Sequence, residues 1–271
     1  MSENVSNDLS GPFSPVIPEL TPAPGRGNWT AIPKRFANLL VSPFKAMGEI
    51  NQRPTWLVPI VISVLLSMLF MIYLNRKLDA GWQEITRKTL RERVEKMGGD
   101  PQAQPDIGLY TQTAKTLTTL SVVVTRVVLI LLLATAFAGG MVMLGAQVTF
   151  KKLVSVIAWS SLVPQVVYML VAVLSLTLAS ADRLKEVYPS NLSAMMVTNL
   201  SIILDKDASP VLQAIYSSFD VFTIWFLVLL GIGFAAIAGT KKVTLRHTTV
   251  LVFGLWVVWI ILKVIYVAVI K

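Results

Sequence analysis

The chain has no cysteine in its 271 residues, and a single histidine, His247. Disulfides, thiolate nucleophiles and Cys-ligated metals are thereby excluded. Charge is also scarce. Asp, Glu, Lys and Arg make up 14% of the chain, where a soluble domain carries about a quarter. Acids are the scarcer sign, 15 against 24 bases, for a net charge of +9. No GxxxxGK[ST], HExxH or GxSxG pattern occurs. With no nucleophile–base pair or ligand set in view, a non-enzymatic role without cofactor or metal is the expectation. The first thirty residues lack a basic start followed by an apolar core. A cleaved signal peptide is therefore not expected, and the first apolar span is expected to act as the insertion signal.

What the chain has instead is long apolar runs, with 54% hydrophobic residues overall. The clearest pair is DVFTIWFLVLLGIGFAAIAG and TTVLVFGLWVVWIILKVIYVAVIK, joined by the acid-free connector TKKVTLRH. About 20 apolar residues cross a hydrocarbon core of about 30 Å, and backbone in lipid must bond internally, so each run reads as a helix. The same reading gives spans at about 56–74, 118–145, 153–178, 220–239 and 248–269. The expected fold is thus all-α, a polytopic membrane protein of five transmembrane helices over 54–271. Lys151 and Lys152, the connector 241–247 and the basic residues before the first span fall on one side. By the positive-inside rule that side is cytoplasmic, so the N-terminus is expected inside and the C-terminus extracytoplasmic. The excess basic charge is absorbed by this topology and by anionic headgroups. No basic stripe interleaves with aromatics, so nucleic acid is not an expected partner.

Residues 1–33 are polar, with prolines at 12, 15, 18, 22, 24 and 33. They read as a disordered cytoplasmic tail or a docking segment. Residues 34–53, KRFANLLVSPFKAMGEINQR, place Phe36, Leu39, Leu40, Phe44, Met47 and Ile50 at helical spacing. They read as an interfacial amphipathic helix or as one packed on the bundle, broken or restarted at Pro43. A protein partner is expected through 1–53. The insert 75–116 carries Leu78, Trp82, Ile85, Leu90, Val94 and Met97 every three to five residues and then Gly98-Gly99-Asp100-Pro101. An extracytoplasmic helical hairpin between the first and second spans follows. In the second long connector, 179–219, short helices are expected at Leu192–Leu204 and Pro210–Ser218.

Charges near apolar spans are functional candidates. Arg126, Asp220 and Lys263 all fall toward the outer side in this topology, and Asp220 is expected to pair with Lys263 or Arg126. The alternative is that each reaches the headgroups separately. Pro164 is expected to bend the third span. Gly231, Ala235 and Gly239 form a small-residue stripe for helix packing, within the chain or across a homodimer.

LLVSPFKAMGEINQRPTWLVPI resembles the opening of the Yip1-domain family, with its Pro-Phe-containing amphipathic piece and Pro-x-Trp-x-x-Pro entry to the first helix. Phe150–Pro164, FKKLVSVIAWSSLVP, is similar to that family's stretch between its second and third helices, and Ile224–Gly233, IWFLVLLGIG, resembles its fourth. The resemblance covers about 34–270. It implies a five-helix integral membrane protein with a cytoplasmic N-terminus and no catalytic residue. Eukaryotic members are associated with Rab GTPases and vesicle traffic. The insert at 75–115 looks more like bacterial relatives, which lack those partners. The expectation is a scaffold or adaptor of the bacterial inner membrane, organising membrane proteins or membrane shape. The alternative is a small transporter or lipid-handling protein using Arg126, Asp220 and Lys263. A water-accessible polar cavity between spans would favour the alternative, and a dry bundle the adaptor.

Overall fold

The computed structural model describes residues 31–98, 107–179, 198, 200–204 and 208–270. Among them every regular element is helical and no β-strand occurs. The order is α1 (Ala31–Val41), α2 (Pro43–Gln52), α3 (Leu57–Lys77), α4 (Asp79–Lys96), α5 (Ile107–Met143) and α6 (Phe150–Leu178). After a 3₁₀ turn at Leu200–Ile203 come α7 (Pro210–Tyr216), α8 (Val221–Ile237) and α9 (Leu245–Ile270). Residues 1–30, residues 99–106 and most of the expected helix at Leu192–Leu204 lie outside the described residues.

Helices α3, α5, α6 and α9 are long and apolar enough to cross a membrane. The fifth apolar run forms the shorter α8, 17 residues, which is about 26 Å of helix against a core of about 30 Å. Its length is set by its ends. Asp220 Oδ1 accepts from the Phe222 and Thr223 amides at 2.9 and 3.2 Å and starts the helix. Gly239, at φ +69°, stops it.

At the end of the bundle carrying Lys151, Lys152, Lys241 and Lys242, the packing is tight. Residues 34–53 form two helices hinged at Ser42, with Pro43 in the first turn of α2. Ala46, Met47 and Ile50 are fully buried in one cluster with Val156, Ile157, Trp159, Leu230 and Phe234. Trp159 Nε1 donates to the Thr55 carbonyl at 3.1 Å. Arg35 donates to Thr55 Oγ1 at 2.7 Å and lies 5.7 Å over the Trp159 ring. Asn51 Nδ2 donates to the Ala236 carbonyl at 2.9 Å. The apolar face of this segment is therefore carried into the bundle, while Val41 and Phe44 at the elbow stay 83% and 62% exposed.

At the other end, α5 runs 37 residues, about 56 Å and nearly twice a hydrocarbon core. Its first turns pack against α4. Asp79 pairs with Lys115. Leu78 and Trp82 are buried with Met71, Leu74 and Leu176.

The small-residue stripe is corrected in part. Gly231 sits against α9, where an added Cβ would meet Thr249 Oγ1 at 3.1 Å, and its carbonyl accepts from Thr248 Oγ1 at 2.8 Å. Ala235 is half-buried. Gly239 is not on that face, because the helix ends at Ile237 and Gly239 turns the chain in the left-handed region. The tightest approach is at Gly233, off the stripe, where an added Cβ would lie 2.4 Å from Val156 and 3.0 Å from Met47 Sδ.

Candidate functional site

Away from the basic loops, α3, α5, α6 and α8 part around a cavity of about 580 Å³. Its polar lining is Ser67, Arg126, Ser161, Gln165, Tyr168, Asp220 and Thr223, and its apolar lining includes Val122, Leu129, Phe222 and Phe226. The position of the charges follows from helix length. From Arg126 to Met143, α5 rises about 26 Å, and α8 covers about the same distance from Asp220 to its end. Both charges thus stand about 26 Å along their helices from the basic end, slightly less than a hydrocarbon core of about 30 Å.

Arg126 is held by neighbours on two helices. Its Nε donates to Ser63 Oγ at 3.0 Å. Its Nη2 donates to Gln165 Oε1 at 2.5 Å and to the Ser161 carbonyl at 3.3 Å. Gln165 in turn donates through Nε2 to the Ser63 carbonyl at 3.0 Å and to Ser67 Oγ at 2.9 Å, and accepts from Ser63 Oγ. A guanidinium has five donors in a fixed fork. Three are used here, and Nη1 makes no hydrogen bond to a described residue. Asp220 likewise spends Oδ1 on the helix cap and leaves Oδ2 without a partner among the described residues. Tyr168 lies beside them, its ring edge-on to Phe222 at 5.6 Å.

The expected pairing of Asp220 with Arg126 or Lys263 does not form. Among the described residues the ion pairs are Arg35–Glu49 and Lys115–Asp79. Each of the three candidates has found another partner. Arg126 and Asp220 do share the cavity, but Lys263 does not line it. Lys263 Nζ donates to the Ala214 carbonyl and to Ser217 and Ser218 Oγ, each at 3.0 Å. It thus caps the C-terminus of α7, where a cation is favoured.

Pro164 lies inside α6 and lines the cavity. It has no N–H for the Ser160 carbonyl, and Arg126 donates to the adjacent carbonyl of Ser161. Ser63, Ser67, Gln165 and Tyr168 were not foreseen as site residues. Their signals were faint: a Ser pair four apart in α3, and a Gln three before a Tyr in α6, each putting two polar groups on one helix face.

Among the described residues no group of three or more His, Cys, Asp or Glu is placed to hold a metal. His247 Nδ1 instead contacts Thr244, 3.0 Å from its hydroxyl.

The Yip1 domain matches residues 37–267, a stretch that contains α2 to α8 and all three charged candidates. The chain belongs to the Yip1-domain family. No curated protein and no solved structure matches it. As a Yip1-domain protein with several apolar helices of spanning length, it is a multi-pass membrane protein. Its Yip1 domain includes the α1–α2 elbow from residue 37 onward, so the segment wedged between α6 and α8 is part of the domain and not an appendage.

Proposed function

We propose that this Yip1-type protein is a non-enzymatic, lipid-handling membrane protein, working through the groove between α5, α6 and α8. The observation that carries this reading is one cavity lined by an arginine and an aspartate that do not neutralise each other. Charges within membrane spans that face the bundle interior or a cavity mark substrate paths. The apolar flank of Leu129 and Phe226 beside them suits an acyl chain. In the full topology we propose, α8 is a fifth span, the α4–α5 hairpin is extracytoplasmic, and the N-terminus is cytoplasmic. A bacterial inner membrane is the setting we propose for it. The test is native mass spectrometry of the full chain released from membranes. A retained phospholipid that is lost in Arg126→Gln supports the reading, and a lipid-free protein contradicts it.

A second reading, a scaffold or adaptor, is favoured by α4, which projects beyond the apolar runs with mixed charge on its face. Residues 1–53 would supply a second docking region. Co-purification in mild detergent separates the two readings, comparing the full chain with one starting at Lys34. A stoichiometric protein partner lost on truncation supports the adaptor.

A further inference from the structure

We infer that the groove takes a zwitterionic phospholipid headgroup, its phosphate on Arg126 Nη1 and its ammonium on Asp220 Oδ2. This rests on the lipid-handling reading and narrows it to one chemical class. A single fixed cation in a cleft selects for an anion, and a single fixed anion selects for a cation. Here one cavity holds both, and neither neutralises the other.

Among the described residues, each charge keeps one face unspent. The Ser63, Ser161 and Gln165 contacts hold the guanidinium through Nε and Nη2, so its orientation is set before any ligand arrives. Guanidinium forks match phosphate oxygens. Asp220 is fixed as a helix cap through Oδ1, and its second oxygen can accept from a primary ammonium or lie against a quaternary one as its counter-charge. Tyr168, Phe222 and Phe226 line the same space. Aromatic faces there attract an ammonium, primary or quaternary. A purely anionic headgroup would set its charge against Asp220, and that repulsion is the discriminating element. Both groups stand about 26 Å along their helices from the basic end, within a few ångström of the depth of about 30 Å at which the opposite headgroups would begin.

The experiment uses the full chain, delipidated in detergent and titrated with three lipids of identical acyl chains by native mass spectrometry. The lipids are phosphatidylethanolamine, phosphatidylcholine and phosphatidylglycerol. The expected result is that at least one of the two zwitterionic lipids binds about tenfold tighter than the glycerol lipid. The comparison between the first two states whether the ammonium is primary or quaternary. Asp220→Asn carries the decisive arm. Asparagine caps a helix as well as aspartate does, so the fold stays while the negative charge goes. The variant should bind phosphatidylglycerol at least as tightly as the zwitterions. Arg126→Gln should weaken all three lipids. Phosphatidylglycerol binding the native chain as tightly as the zwitterions overturns the headgroup assignment and leaves the lipid-handling reading standing. Preferences unchanged in Asp220→Asn overturn it too, because the lipid then sits elsewhere. Binding of none of the three lipids by the native chain ends both.

Discussion

The two ends of the bundle are built from the same helices and behave oppositely. Near Gly233, α6 and α8 close on α2 so tightly that a methyl group would not fit. About three helical turns away the same two helices, with α5, leave a cavity of about 580 Å³. The side chains explain the change. At the closed end α8 presents Gly231 and Gly233, and Met47 and Val156 fill the space. At the open end α8 presents Phe222 and Phe226 and α6 presents Tyr168 and Met169, which hold the helices apart. Without a hydrophobic force between helices in lipid, close packing of small residues is what associates them. The closed end therefore holds the bundle together, and the open end is free to carry polar groups.

Gly233→Ala breaks the closed end and has the largest expected effect. The added methyl meets Val156 and Met47, and overpacking of this kind costs about 3 kcal/mol. The unfolding midpoint in detergent should fall clearly, while Gly254→Ala, an exposed position inside α9 with open space around it, should leave it unchanged or slightly raised.

Gln165→Leu attacks the open end. It removes four hydrogen bonds and strips Arg126 Nη2 of its side-chain acceptor. A loss of about 2 kcal/mol is expected, with weaker groove binding, measured by unfolding and by lipid titration. Lys263→Met removes three bonds to the end of α7. Hydrogen bonds between helices in membranes are worth about 0.6 kcal/mol each, so a loss of somewhat under about 2 kcal/mol is expected. Groove binding should not change, because Lys263 does not line the cavity.

The smallest effect concerns α4. The hydrogen bond from Lys115 holds the Asp79 carboxyl below its usual pKa, with burial opposing it. A carboxyl lowered on folding contributes fully above the ordinary carboxylate range. That contribution fades as pH falls through the lowered value. The protection of the α4 amides, taken relative to their intrinsic exchange rate at each pH, should therefore fall only in acid, and Asp79→Asn should abolish that dependence. Acid-insensitive protection in the native chain would dissociate this pair from α4 stability.

The apolar runs made the all-α membrane class legible, because a continuous apolar run of about 20 residues fits a spanning helix and not the short alternating strands of a barrel. Pro43 marked the break between α1 and α2, since a proline fits the first turn and not the interior. The pairing of the charges was not legible. Sequence places Arg126, Asp220 and Lys263 at one depth, but rotation about each helix axis decides who meets whom. Asp220 was taken by its own helix start, and Lys263 by the end of α7. Gly239 misled for a related reason. Its i+4 spacing continued the stripe on paper, but the helix had already ended at Ile237.

Ser160 and Ser161 give the most direct measurement of the contrast between a dry interior and a wet groove. They are neighbours in α6, yet Ser160 is wholly buried and Ser161 lines the cavity. The chain has no cysteine, so Ser160→Cys and Ser161→Cys each introduce a single thiol. Both would be exposed, in reconstituted vesicles, to a small water-soluble thiol reagent. The expected result is fast labelling at 161 and protection at 160. Equal protection at both positions would contradict a water-accessible polar groove.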